Sequence, residues 1–194
     1  MRETKNLEFK ESISNSFLKT VSAYANYGTG KILFGVADDG TIKCIQDPIK
    51  VSLDIENKIN DSITPVPEFS LEIDDKTSVI TLTVSKGIHK PYFYKSKAYR
   101  RNDSATIEVN RTELNRLILE GENTSFEELP SKMENPQFSI LSKQLTSILQ
   151  LDAVTEDILK TLELYKPESG INIAGELLAD NNSFCGVDVV RFGD

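Results

Sequence analysis

Apolar and charged residues alternate in Leu7-Glu8-Phe9-Lys10, the period-two pattern of a short half-buried strand. After a Ser/Asn stretch, Phe17, Leu18, Val21, Tyr24 and Ala25 recur at helical spacing, with Asn15 or Ser16 placed to cap. Gly28 and Gly30 then turn the chain into a buried strand over 31–37, whose centre 32–36 is apolar throughout. Asp39-Gly40 predicts a hairpin turn into a strand at 41–45. A second helix opens at Asp47-Pro48, with Val51, Leu53, Ile55, Ile59 and Ile63 as its mainly buried positions, and stops before Pro65 and Pro67. Alternating strands at 69–73 and 79–84 flank Asp74-Asp75-Lys76. A strand at 97–101 and an Asn102-Asp103-Ser104 turn follow, then a helix over 112–120 capped by Asn110 and ended by Gly121.

From 122 to 134 the chain becomes polar and proline-bearing. Helical spacing returns at 140–151 and 156–164, followed by a short helix at 173–179 and a strand near 187–192. The order of elements predicts an α/β (mixed α+β) fold: a mixed sheet flanked by helices, followed by a small, mainly helical C-terminal segment. The expected division is a domain at 1–122, a linker at 123–136, and a helical segment at 137–194 that belongs to a truncated downstream domain.

Charge narrows the function classes. The net charge is −8, but residues 1–122 hold 17 Lys and Arg against 18 Asp and Glu, so the acidic excess lies beyond them. A nucleic-acid surface is therefore expected in the first domain. The pattern predicts no membrane span and no secretory signal. Cys44 and Cys185 are isolated, which is neither a disulfide framework nor a zinc pattern and suits the cytoplasm. With His89 as the only histidine, imidazole acid–base chemistry has almost no basis, and His89 itself reads as structural.

Three groups carry candidate chemistry. Glu8 shares a strand face with Lys10, Asp38 leaves the central strand, and Glu3 could fold back toward both. Converging carboxylates would suit Mg²⁺ or Mn²⁺ and metal-assisted phosphoryl chemistry, while solvated surface is the competing reading. Gly28-Thr29-Gly30-Lys31 lacks phosphate-loop spacing and reads as a turn. His89, Lys90, Lys95, Lys97, Arg100 and Arg101 interleave with Tyr92, Phe93, Tyr94 and Tyr99. That composition fits a nucleic-acid contact surface and equally a sheet with a cationic face over buried rings. The run 140–164 reads as core or as an interface for homo-oligomerisation.

In combination, Leu7-Glu8-Phe9-Lys10, Val21-Ser-Ala-Tyr-Ala-Asn26, Gly28-x-Gly30, Ile32-Leu-Phe-Gly-Val36 and Asp38-Asp-Gly40 resemble the Schlafen-type, AlbA-like DNA-binding domain of bacterial regulators and RecG-like helicase-related proteins. Lys90-Pro91-Tyr92, Ala98-Tyr-Arg-Arg-Asn-Asp-Ser104 and the helix at 110–119 resemble its C-terminal part, so the likeness spans about residues 3–120. The resemblance implies a nucleic-acid-binding (DNA or RNA) module of a bacterial transcriptional regulator, for which the basic and aromatic group offers Lys90, Lys95, Lys97, Arg100, Arg101 and Tyr99 as contacts. It also implies an alternative, a metal-dependent endoribonuclease whose acidic triad falls on Glu3, Glu8 and Asp38, with Lys10 beside the phosphate. The sequence departs from the family pattern at Asn26-Tyr-Gly-Thr-Gly30 and at Ala37, and it holds one complete lobe where the animal enzyme pairs two.

Overall fold

The computed structural model describes residues 2–150 and 154–184. Two compact units divide the chain, Met1–Asn123 and Thr124–Asp194.

In the first unit, strand β1 (Leu7–Lys10) leads into helix α1 (Phe17–Tyr27), which returns the chain to strand β2 (Gly30–Phe34). The two strands lie parallel, with Leu7 opposite Lys31 and Lys10 opposite Phe34. A helical crossover is what parallel neighbours require. Helix α1 is buried along most of its length because it carries Phe17, Leu18, Val21, Tyr24 and Ala25 toward the sheet and Thr20, Ser22 and Asn26 toward buried polar partners. Phe17 meets Phe34 edge to face, 5.2 Å between ring centres.

Helix α2 (Pro48–Ser62) starts on an Asp47 cap, whose carboxylate accepts the Lys50 N–H. It buries Ile55 and Ile59, and Ile63 is buried just beyond it, whereas Leu53, expected inside, is exposed. One narrow apolar stripe is all that the sheet covers. Strand β3 (Ile63–Thr64) precedes β4 (Phe69–Ile73) and β5 (Ile80–Val84). The sheet order is β1-β2-β5-β4, parallel only at β1-β2. Ile80, Leu82 and Val84 alternate into the core. Strands β6 (Phe93–Tyr94), β7 (Tyr99–Asn102) and β8 (Ala105–Glu108) and helix α3 (Arg111–Gly121) complete the unit. β6 pairs with β3, and β7 with β8.

Two local expectations change. The strand expected at 41–45 is reduced to a single Val36–Ile42 bridge, because Gly35 (φ 87°), Gly40 (φ 88°) and Cys44 (φ 45°) bend the chain out of extended geometry. The strand after the Asn102-Asp103-Ser104 turn was not signalled, since Ala105–Glu108 is too short for a strong alternation. Gly30 opens β2 rather than serving only as a turn residue. The Tyr24 ring lies where a Cβ would come within 2.4 Å of it.

The second unit begins with a 3₁₀ turn, Phe126–Glu128, and continues through α4 (Ser139–Leu149), α5 (Glu156–Thr161), the pair β9 (Tyr165–Lys166) and β10 (Gly170–Ile171), and α6 (Ile173–Leu177). The stretch expected to link the domains is hydrogen-bonded into this unit: Leu129 O accepts from Ile173 N, and Ser131 N donates to Ile171 O, both at 2.9 Å. Asp180 caps α4 from outside the helix, accepting the N–H groups of Ser139 (2.8 Å) and Ile140 (2.9 Å). Those bonds, Ile140 first, hold its carboxyl below the usual aspartate range. The strand expected near 187–192 and Cys185 lie outside the described residues.

Candidate nucleic-acid interface

The strand pattern of β1 sends Leu7 and Phe9 one way and Glu8 and Lys10 the other. Glu8 nevertheless ends buried, 5 % exposed, because α1, β7 and β8 close over that face. One carboxylate oxygen lies 2.7 Å from Lys10 Nζ. The other pairs with Arg101 and accepts a hydrogen bond from Thr20 Oγ1 at 3.1 Å. Arg101 also donates to Thr106 Oγ1 (2.8 Å) and to the Thr4 carbonyl (3.1 Å). Four elements, β1, α1, β7 and β8, thus meet on one ion pair.

Two of the three carboxylates expected around a metal, Glu3 and Glu8, are already committed. Glu3 does fold back, but its Oε1 accepts the Phe9 N–H at 2.9 Å. Asp38 is exposed in the turn after β2. Among the described residues no three histidine, cysteine or acidic side chains are grouped to hold a metal ion. With both Glu8 oxygens answered by cations and Asp38 exposed in a turn, these residues do not fit Mg²⁺ or Mn²⁺.

The cationic group is sorted by the fold. Lys90 Nζ is 2.6 Å from Glu120, Arg100 Nε 2.9 Å from Glu113, and Lys97 Nζ 2.7 Å from Glu108. Helix α3 and strand β8 supply those acids. The Arg100 contact is an ion pair whose N–H misses a hydrogen-bond direction. Glu108 holds the Lys97 ammonium above the ordinary lysine range, by hydrogen bond first and then by charge. Arg101 is 6 % exposed. The rings follow the second of the two readings: Tyr92, Tyr94 and Tyr99 are buried in the core, and only Phe93 among them is half-exposed. Burial raises the Tyr99 hydroxyl above its usual range.

The lysine of the group left without a carboxylate among the described residues is Lys95, and it is joined by a cation that the sequence did not group with it. Lys95 Nζ lies 5.4 Å from the Tyr94 ring and Lys19 Nζ 5.8 Å from the Tyr99 ring, and those rings are 6.5 Å apart. Neither lysine has a carboxylate partner among the described residues. Lys19 is the only charged residue of α1, which was its signal in the sequence. Lys95 and Ser96, both left-handed (φ 50° and 61°), turn the chain between β6 and β7. Beside them opens a cleft of about 520 Å³ lined by Ser62, Thr64, Phe93, Lys95 and Ser96.

The backbone behind this surface is clamped from α1. Asn26 donates to Tyr92 O at 2.9 Å and accepts from Tyr92 N at 2.8 Å, while Ser22 Oγ donates to the same carbonyl at 2.7 Å. Both backbone polar groups of buried Tyr92 are satisfied by one helix face.

The sequence matches the family described as Schlafen, AlbA_2 over residues 3–110. The chain belongs to that family. A search of the curated proteins finds no match. Among solved structures, the DIP2311 protein of Corynebacterium diphtheriae is similar at 16 % identity and a TM-score of 0.49, over 90 % of this chain and 35 % of that one. This chain therefore spans about a third of that protein's length. The N-terminal domain of a RecG-related protein of Nitrosomonas europaea is similar at 25 % identity and a TM-score of 0.37, over 55 % of this chain and 80 % of that domain. No helix among the described residues is long and apolar enough to cross a membrane.

Proposed function

We propose that the first unit is a nucleic-acid-binding module, acting on DNA within a cytoplasmic bacterial transcriptional regulator. Family membership supports the class of partner. The observation that carries the reading is the pair Lys19 and Lys95, two cations from distant parts of the chain, unpaired with any described carboxylate and seated over neighbouring rings, with Lys95 lining a cleft. Backbone phosphates would meet these lysines and Lys97, and the hydroxyls of Ser62, Thr64 and Ser96 would accept or donate along the strand. Phe93 offers a ring face for an unpaired base. Fluorescence anisotropy with labelled single-stranded and duplex DNA, and RNA of the same sequence, tests this. Lys19→Ala with Lys95→Ala lowers duplex affinity about tenfold or more and reduces the slope of log K against log salt by about 1.8. Affinity and slope equal to wild type would overturn the assignment.

For the second unit we infer self-association through α4. That helix has no buried residue, exposes Ile140, Ile148 and Leu149, and contains a single charge, Lys143. Two copies can therefore face each other with Lys143 as the sole like charge of each helix. Sedimentation over a concentration series should show dimer in wild type and monomer in Ile148→Lys; a monomer throughout sinks the idea.

A further inference from the structure

The carboxyl end of α1 carries a second cleft that the nucleic-acid reading does not use. Its volume is about 270 Å³, and its walls are Lys5, Asn6, Ala23, Tyr24, Tyr27, Gly28, Thr29 and Arg101. Lys19 and Tyr27 are separated by eight residues of helix, about 12 Å of rise, so the cleft is set apart from Lys19 along α1.

Its lining is chemically uneven. Lys5 and Arg101 are cations, and no lining residue is a carboxylate. Arg101 is committed through its two terminal nitrogens, but its Nε is buried without a hydrogen-bond partner. Buried donors in folded proteins are nearly always satisfied, so the residue that forms this cationic wall carries one unanswered donor behind it. Tyr27, partly exposed, brings a ring to the rim, and the Asn6 side-chain amide can both donate and accept. The α1 carboxyl terminus also borders the cleft and disfavours negative charge close to it. Charge therefore belongs at the Lys5–Arg101 side, and a neutral planar group at the Tyr27–Gly28 side.

We propose that this cleft binds one nucleoside phosphate unit, with the phosphate toward Lys5 and Arg101 and the base against Tyr27. Cations for an oxyanion, a ring to stack on and an amide to read a base edge are the groups such a ligand needs, and the volume suits a unit of that size. The unit can come from a free mononucleotide or from the phosphorylated end of a strand; both present the same chemistry.

Gly28 provides the test. It lines the cleft, its backbone is extended (φ 170°, ψ 147°) as any residue can be, and a Cβ built there meets nothing within 4 Å. Gly28→Leu should fill the cleft while the far-UV circular dichroism and melting temperature stay as in wild type. Calorimetry of the whole chain with adenosine monophosphate, uridine monophosphate, a 5′-phosphorylated dinucleotide, adenosine and inorganic phosphate reads the site. The expected result is binding of nucleoside phosphates at least tenfold tighter than of adenosine or phosphate alone, lost in Gly28→Leu and weakened severalfold in Lys5→Ala. A dinucleotide that outbinds the mononucleotides assigns a strand end, and the reverse assigns a free nucleotide. No binding by either nucleotide form at millimolar concentration, equal binding by Gly28→Leu, or phosphate alone binding as well as the nucleotides would each overturn the proposal. Lys19→Ala with Lys95→Ala should leave mononucleotide binding unchanged, so this site and the DNA surface fail or stand separately.

Discussion

Each unit buries one glutamate, and the two answer its charge differently. Glu8 in the first unit faces Arg101 and Lys10 with Thr20 in support. Glu176 in the second, 7 % exposed, is met by the neutral hydroxyls of Ser131 and Ser183, the latter at 2.6 Å. In the first case two cations answer one carboxylate. In the second the carboxylate is met, among the described residues, only by donated hydrogen bonds, which hold its carboxyl below the usual glutamate range, Ser131 contributing most. A buried ion pair is hard to break from one side, because the survivor is left buried. A hydroxyl-solvated carboxylate is hard to protonate.

The largest predicted effect is on the first. Arg101→Met should cost the first unit about 3–5 kcal/mol, and replacing Glu8 by Leu in the same chain should restore most of it. Urea unfolding followed by hydrogen exchange in each unit measures this. A single-variant loss below about 1 kcal/mol would show that the pair is not a junction of four elements. Next is Gly30→Ala, which pushes a methyl group into the Tyr24 ring and should cost about 1–3 kcal/mol in the same unit, with no change in the second.

Acid should test the hydroxyl account of Glu176. A carboxyl whose folded-state value is depressed contributes stability above its unfolded value, and that contribution is lost as pH falls through the folded value. The Glu176 contribution is therefore present above about pH 4.3 and fades below it. Thermal melts of wild type and of Ser131→Ala with Ser183→Ala should converge as the pH drops through that window; parallel curves would refute the hydroxyl account. The smallest effect is at the exposed Lys97–Glu108 pair. Glu108→Gln should leave stability unchanged, since such pairs contribute little, while raising DNA affinity modestly by freeing Lys97. Unchanged affinity would remove Lys97 from the surface.

Much of the fold was legible. β1, α2 with its Asp47 cap, β4, β5 and α3 with its Asn110 cap follow from local signals, because alternation, helical spacing and caps act within a few residues. The family likeness was legible for the same reason, as it rests on contiguous motifs. The candidate site was less so. Lys90, Lys97 and Arg100 read as free cations because Glu120, Glu108 and Glu113 lie 11 to 30 residues further along the chain. Lys19 was missed because it is more than seventy residues from Lys95.

The sequence alone determined which residues carry charge, which segments alternate or turn, and that the first part of the chain is balanced while the rest is acidic. Only the tertiary structure decided which charges remain available. Packing β7 and β8 against α1, with α3 supplying Glu113 and Glu120, brought acids to Arg100, Lys90, Lys97 and Arg101, buried Tyr99, and turned Glu8 from a candidate metal ligand into half of an ion pair. Pairing depends on distance in space, and no local pattern of charges records it.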